Sequence, residues 1–352
     1  MADVAAAAGV SVATASVAIT GRRSGNCRVS VSVAEKIRET ARRLNYRPNL
    51  QARNLSTRRT RTIAVLIKRA AWHNAMFYVS ACQRVLRERG YCESVMLYPD
   101  NELASERQHF DLCVERQVEG VIAMPLIDLA GRANVELFNR LREDEGVPVV
   151  QLGIALEGCT APSVVTDEIG GMAKAVTLLH AMGHRRIAHA TMIGYDDPGA
   201  FNPFRAAHLR YQGYLKGMSE LGLEPTVFVP TTGAIDTDTL YESSTQLSSM
   251  ILAASPRPTA IVALSDFTGA ALISGLSHAG LSLPADMSVI AAGDQPFCKM
   301  LRPALTTLAP PFEREAELAT LELLKMIEGG AAGESHSLLP SLINRESIAA
   351  VR

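Results

Sequence analysis

The sequence predicts two pieces of different class: a small all-α head built as a helix-turn-helix, and an α/β body of two doubly wound halves with parallel sheets. Three observations carry that reading. Alanine-rich helical stretches separated by a glycine occupy the N-terminus, apolar strand-like runs alternate with amphipathic helices from Thr62 onward, and charge divides between the two. Residues 1–62 hold twelve Lys or Arg against three Asp or Glu, a net +9, whereas the remainder carries a net −10. A basic head on an acidic body is the footprint of a nucleic-acid module joined to something else. At 352 residues the chain exceeds what one core organises.

In the head, Asp3 to Ala8 reads as a helix stopped by Gly9, and Ser11 caps a second helix from Val12 to about Ile19. Val29-Ser30 opens a third helix with Ser30 as N-cap; Ile37, Ala41 and Leu44 share one face, and Ile37 and Leu44 are expected to pack on the first two helices. The pattern breaks at Arg47-Pro48-Asn49, because proline cannot continue a helix in progress but suits the first turn of a new one. Asn49 to Ser56 is then a very short helix among Arg53, Arg58, Arg59 and Arg61. Such a helix is marginal alone in water. With this charge, DNA is the partner expected to fold it.

The stretch LNYRPNLQARNLSTRRTRTIAVLI resembles the hinge of the lactose-repressor/galactose-repressor (LacI/GalR) family of bacterial transcription regulators, and DVAAAAGVSVATAS resembles that family's helix-turn-helix. The resemblance implies a DNA-binding headpiece over 1–47, a hinge over 48–61 and an effector-binding and dimerisation domain over 62–352. It implies a recognition helix in the major groove, contacting DNA through Ser11, Thr14 and Ser16. Paired hinge helices would lie in the minor groove with Asn49 and Arg53 near the duplex, Ala52 facing the partner helix and Leu55 wedged between base steps. The alternative for Leu55 is packing onto the body.

Two features depart from the family. Val17 stands where relatives carry an arginine, and no side chain from Val12 to Ala18 can make a bidentate contact to guanine or adenine. The loop that follows is longer than usual and carries Arg22, Arg23 and Arg28. These arginines are expected to supply phosphate or minor-groove contacts, the alternative being a basic loop with no fixed contact.

In the body, strand-like runs occur at Ile63–Ile67, Ser94–Tyr98, Gly120–Pro125, Val147–Leu152, Ser163–Thr166, Ile187–Ile193, Thr226–Pro230, Ala260–Leu264 and Val289–Ala292. Between them lie amphipathic stretches at Val79–Arg89, Leu103–Gln117, Met172–Met182, Arg210–Leu221, Leu240–Ala253 and Thr268–Ala279. This alternation argues for parallel sheets covered on both faces, with ligand beyond the strands' carboxyl ends. The resemblance implies a type I periplasmic-binding-protein-like fold. Its N-terminal half would span about 62–156 and 312–338 and its C-terminal half about 157–309 and 340–352, with crossings near Leu156, Pro310 and Leu339. The helix from Phe312 to Glu328 would return to the N-terminal half.

Within Leu209-Arg210-Tyr211-Gln212-Gly213-Tyr214, Arg210 matches the family arginine that grips effector hydroxyls or a carboxylate, with a surface ion pair as the alternative. Asp266 ends a strand as in relatives, while Ser265 replaces a ligand-contacting asparagine. Gly293 falls at a ligand-binding aspartate, so the adjacent Asp294 is the candidate, its alternative being a turn former. Trp72 and Phe77 are candidates to stack on an apolar ligand face, or else plain core aromatics. Asp167 is expected to cap a helix and His184 to be structural.

The leading reading is a homodimeric regulator, a repressor, that binds a near-palindromic double-stranded operator under control of a small-molecule effector, by resemblance a sugar or sugar-like metabolite. The alternative is a sugar-binding protein of the same fold with weak or non-specific DNA binding. No phosphate-binding GxGxxG or Walker loop follows a strand, and no GxSxG or HExxH occurs, which argues against an enzyme. No cofactor or metal is expected: the six cysteines show no CxxC and no metal-ligand spacing. No signal peptide or membrane span is read, so reduced thiols and a cytoplasmic location are expected.

Overall fold

The computed structural model describes residues 1–20, 29–46, 59–69, 72–99, 102–127, 132–192, 194–196, 204–231, 237–329 and 332–351. The chain forms two compact units, Met1–Thr60 and Arg61–Arg352.

The first unit holds α1 (Ala2–Ala8), α2 (Val12–Thr20) and α3 (Val31–Arg43). Gly9 closes α1 with φ 72°, a left-handed conformation that glycine adopts without steric cost. The chain then turns through 100° into α2, the angle of a helix-turn-helix. Ser11 Oγ accepts the Thr14 N–H at 3.1 Å, and Ser30 Oγ accepts that of Val33 at 3.4 Å, so both serines cap their helices. Apart from Val4 and Ile37, the buried residues of this hydrophobic core are alanines: Ala5, Ala8, Ala15, Ala18, Ala34 and Ala41. Arg38 Nε donates to Ala18 O at 3.2 Å, placing a cation at the C-terminal end of α2. Leu44 does not join the core as expected, being 45% exposed. The helix has ended at Arg43, Leu44 turns away from the helical face, and the partly buried Tyr46 packs instead.

The second unit contains two six-stranded sheets. The first has β1 (Thr62–Lys68), β2 (Cys92–Tyr98), β3 (Gly120–Ala123), β4 (Val149–Leu152), β5 (Ser163–Thr166) and β11 (His336–Leu338), in the order β11-β5-β4-β3-β1-β2 and all parallel. The second has β6 (Ile187–Ala190), β7 (Thr226–Phe228), β8 (Ala260–Ala263), β9 (Ser288–Ala292), β10 (Thr306–Ala309) and β12 (Ser341–Ile343), in the order β12-β10-β9-β8-β6-β7. Only the β10–β12 pair in it is antiparallel. Central strands such as Val149–Leu152 and Ala260–Ala263 are buried throughout, as continuous apolar runs covered on both faces must be.

The first lobe carries α4 (Trp72–Glu88), α5 (Leu103–Glu115), α6 (Val135–Glu143) and α11 (Phe312–Ile327); the second carries α7 (Glu168–Ala181), α8 (Phe204–Glu220), α9 (Thr237–Ala253) and α10 (Asp266–His278). Core clusters cover both faces of each sheet. The first crossing differs from expectation: β5 pairs with β4 through Gln151↔Ser163 and Leu152↔Val164, so residues 157–166 belong to the first lobe and the chain leaves it after Thr166 rather than near Leu156. The cause is Gln151, 2% exposed, whose amide donates to Ala161 O at 2.7 Å and accepts from Leu156 N at 2.8 Å, folding the intervening loop back against its own sheet. The chain returns after β10 through Pro310-Pro311 and crosses again at Leu339-Pro340.

Candidate functional site

The carboxyl ends of the first sheet's strands open onto a cavity of about 380 Å³. Lys68 ends β1, Met124 follows β3, Leu152 ends β4 with Gly153 next after it, and Thr166 ends β5. Across from them α8 presents Arg205, Ala206, Leu209 and Arg210, a spacing that puts all four on one helical face. Asn74, Tyr78, Glu168 and Phe312 add polar and aromatic groups to the lining.

Arg210 lies in this cavity, held from two sides. Its Nε and Nη2 donate to the two oxygens of Glu168 at 2.8 and 2.7 Å, while Nη1 donates to Leu264 O at 2.9 Å. Both partners of the pair are 14% exposed, so the fork is fixed before any ligand arrives. Below it, Tyr78 Oη donates to Glu315 at 2.9 Å, and Thr166 Oγ1 donates to the other oxygen of the same carboxyl. Burial pushes the Glu315 carboxyl up to about 7, even though these two hydrogen bonds favour its charged form. Glu106, fully buried, accepts from Leu126 N at 2.9 Å and Asn134 Nδ2 at 2.8 Å. Burial raises it to about 7 as well, against the opposing effect of those bonds and of Lys68.

The expected carboxylates behave differently. Asp266 is 4% exposed and accepts from its neighbour Phe267 N at 2.9 Å and from Gln295 N at 2.8 Å. Burial raises its pKa, with those two N–H groups opposing. Gly293 explains the arrangement: its φ is 107°, and a Cβ there would sit 2.6 Å from an Asp266 oxygen, so only glycine admits this carboxylate. Ser265 caps α10, accepting from Thr268 N at 3.2 Å. Asp294 accepts from Thr307 Oγ1 at 2.8 Å and pairs with Arg345 Nη2 at 2.7 Å. It lines a separate hollow with Phe77, whose ring stacks on Phe312 at 6.3 Å. None of Ser265, Asp266, Asp294 and Phe77 is among the residues lining the cavity, and of the candidates whose side chains are described Arg210 alone is. Trp72 begins α4, and its side chain lies outside the description.

Sequence reasoning missed Lys68, Tyr78, Glu168, Arg205 and Glu315. The helical spacing back from Arg210 pointed to Arg205, and the rule that ligands sit past strand ends pointed to Lys68. It also missed a link between lobes: Gln295, held on Asp266 by its backbone, donates its side-chain amide to Asn74 Oδ1 at 2.8 Å. As expected of them, Asp167 caps α7 through Gly170 N at 2.8 Å, and His184 is structural, its ring bridging Thr259 and Ala349 at 2.9 and 3.0 Å.

In the head, Ala15 and Ala18 point into the core, while Val12 is 51% exposed and Ala13 is exposed. Ser16 and Val17 are half-buried. Ser11 and Thr14 bond each other through their hydroxyls at 2.8 Å as part of the cap. Arg22, Arg23, Arg28, Asn49, Ala52, Arg53 and Leu55 lie outside the described residues. No group of three or more His, Cys, Asp or Glu among the described residues is placed to hold a metal ion, and no single described helix is long and apolar enough to cross a membrane.

A helix-turn-helix head and a two-lobed body with paired parallel sheets define a class, the DNA-binding regulators with a periplasmic-binding-protein-like domain. Residues 1–49 match the bacterial regulatory proteins of the lacI family, and residues 176–348 match the periplasmic binding protein-like domain. The chain is 29% identical to catabolite control protein A of Priestia megaterium, covering 97% of this chain and 96% of the relative. It is 27% identical to the HTH-type transcriptional repressor PurR of Serratia proteamaculans, covering 99% and 96%. Its fold matches the lac repressor dimer bound to operator and the anti-inducer ONPF with a TM-score of 0.83 at 22% identity, over 99% of this chain and 98% of that one. A CelR–cellobiose complex matches with a TM-score of 0.64 at 24% identity, over 98% of each chain. The chain belongs to the LacI/GalR family of bacterial transcription regulators.

Proposed function

We propose that the protein is a homodimeric repressor that binds a near-palindromic operator and whose grip on DNA is governed by a small molecule received in the cavity beneath Arg210. The observation that carries the reading is that one chain holds a capped helix-turn-helix together with a cavity whose two walls come from different lobes. A ligand touching both walls stabilises one inter-lobe arrangement over others, which is the differential affinity that coupling requires. The Asn74–Gln295 bond is one contact that such a rearrangement would keep or break. Dimerisation has support in β2, an edge strand that exposes Val95 by 43% and Leu97 by 59%. The operator is read by methyl and hydroxyl contacts from Val12, Ala13 and Ser16, with Arg22, Arg23 and Arg28 on phosphates and the hinge residues Asn49, Ala52, Arg53 and Leu55 at the minor groove. The second reading, a binding protein with only non-specific DNA affinity, draws its support from Val17 standing where a base-reading arginine is usual.

Selection of bound fragments from random DNA decides between them. Sequencing should recover a motif with two-fold symmetry, bound by the full-length chain and not by residues 61–352 alone. Binding that falls steeply with salt and selects no motif would leave the non-specific reading.

A further inference from the structure

The chain crosses between the lobes three times, and one buried carboxyl stands where those crossings meet. Glu315 lies in the first turn of α11, just past the Pro310-Pro311 crossing, and is wholly inaccessible. Thr166, which donates to one of its oxygens, is the last residue of β5 before the chain leaves the first lobe. Tyr78 of α4 donates to the other oxygen at 2.9 Å, and its ring packs on Phe312 at 5.2 Å. The third crossing is bound to the first, because Asp167 N donates to Leu338 O at 2.8 Å.

Two hydroxyl protons directed at one carboxyl suit its ionised form, which only accepts. Burial opposes that form, and the charge of Glu168, the first residue of α7 in the second lobe, opposes it further, so the group is raised to about 7. The fork of Arg210 offsets part of the Glu168 charge but also fixes it to the second lobe. Repulsion between the two carboxylates is therefore relieved by moving the lobe rather than by turning a side chain. The other titratable and charged groups around α11 are engaged elsewhere. Cys82 Sγ donates to Ala316 O and burial lifts its thiol to about 11, Arg84 holds Glu317, and His336 of β11 bonds Glu322 farther along the helix. Glu313 and Arg314 are exposed, and β3 and β4, which pack on the same helix, carry no titratable residue.

We propose that Glu315 is a proton-sensitive positioning residue of the hinge: neutral, it lets Glu168 and the second lobe sit close against α11; ionised, it drives them apart while gripping Thr166 and Tyr78 more firmly. Tyr78 and Thr166 both line the cavity, so the same proton is felt at the ligand's wall. By reciprocity, a ligand that draws the lobes together takes up a proton as it binds and is held more tightly in acid. That consequence rests on the regulator reading; the movement of the hinge does not.

Hydrogen exchange of the full-length protein, read by mass spectrometry from about pH 5.5 to about 8.5 and corrected for the intrinsic pH dependence of exchange, tests this without a ligand. Relative to amides at the centres of the sheets, residues 167–171 should lose about tenfold in protection as pH rises through about 7. Glu315→Gln, neutral throughout and of the same size, should hold the acid level of protection across the range. Tyr78→Phe removes a donor to the ionised form and should move the midpoint up by about one pH unit, which loss of a merely structural contact would not do. Glu106→Gln, which removes the other carboxyl titrating in this range, should leave the step in place. A wild-type profile without the step overturns the proposal, as does a step that survives in Glu315→Gln or vanishes in Glu106→Gln. So does a midpoint unmoved in Tyr78→Phe, the variant that decides alone should Glu315→Gln not fold. A step that obeys all three variants in a protein that selects no operator upholds the hinge and breaks the regulator reading instead.

Discussion

The head and the body are built from different materials. The head buries alanines around Val4 and Ile37, which lets three short helices approach closely but removes little apolar surface from water. The body buries Ile63, Val65, Leu86 and Leu323 on one side of its first sheet and Tyr98, Phe110 and Phe138 on the other. It also buries carboxyls: Glu106 and Glu315 are both fully inaccessible, whereas Asp3, Glu35 and Glu39 of the head are all exposed. A small core of small side chains stands or falls with one residue. A large core tolerates buried polar groups, and those groups become its points of control.

The largest effect expected from this contrast is in the head. Ile37→Ala removes its main large buried side chain at about 3 kcal/mol, a sizeable share of the roughly 5 kcal/mol a unit of this size commands. Operator binding should disappear in a mobility-shift assay while the body's thermal transition stays in place. A variant that still binds operator would show that the head is held by something other than its alanine-lined core. Next comes Glu168→Ala in the body, which strips Arg210 of its carboxylate. About 2 kcal/mol should be lost from the body's transition, less than for a fully buried pair because Leu264 O is retained and 14% of the side chain is exposed. Calorimetry that shows the body unchanged would mean that the fork does not hold the α7–α8 contact.

The pH dependence should be smaller. Glu315 is raised from 4.5 to about 7 in the folded body, so the folded state binds that proton more tightly than the unfolded one. Its stabilisation is fully present below about 4.5 and is lost as pH rises through about 7. His189, held neutral by burial with its pKa down to about 4, acts in the opposite direction, so the difference between two proteins is what should be read. Relative to wild type, Glu315→Gln should remove on the order of 1 kcal/mol of the decline between pH 5.5 and 7.5. Parallel melting curves for the two proteins across that range would contradict the assignment. The smallest effect belongs to Ser30→Ala, whose cap is long at 3.4 Å and should cost the head about 0.5 kcal/mol, seen as a slightly lower midpoint in its unfolding.

Features set by neighbours in the chain were legible in the residues alone. Ser11, Ser30 and Asp167 cap the helices they were expected to cap, because a capping bond reaches only three residues. The long apolar strands were legible for the same reason, since a run buried on both faces must be apolar throughout. β11 and β12, at three residues each, carry too little pattern to detect, and Thr306-Thr307 hides β10 behind polar side chains. Arg210 was found in the cavity, but its partner Glu168 lies 42 positions earlier and no local pattern ties the two together.

What the sequence determined by itself is the class of each piece, since helix caps, strand runs and the divided charge are properties of neighbouring residues. Tertiary structure alone decided which carboxyl faces which space: Asp266 turned into the backbone at Gly293, Asp294 spent on Arg345, and Glu315 set beneath Tyr78 and Thr166. It also assigned β5 to the first lobe through Gln151. The physical reason is that a side chain's partner is chosen by packing across lobes and sheets, over separations along the chain that no periodicity spans.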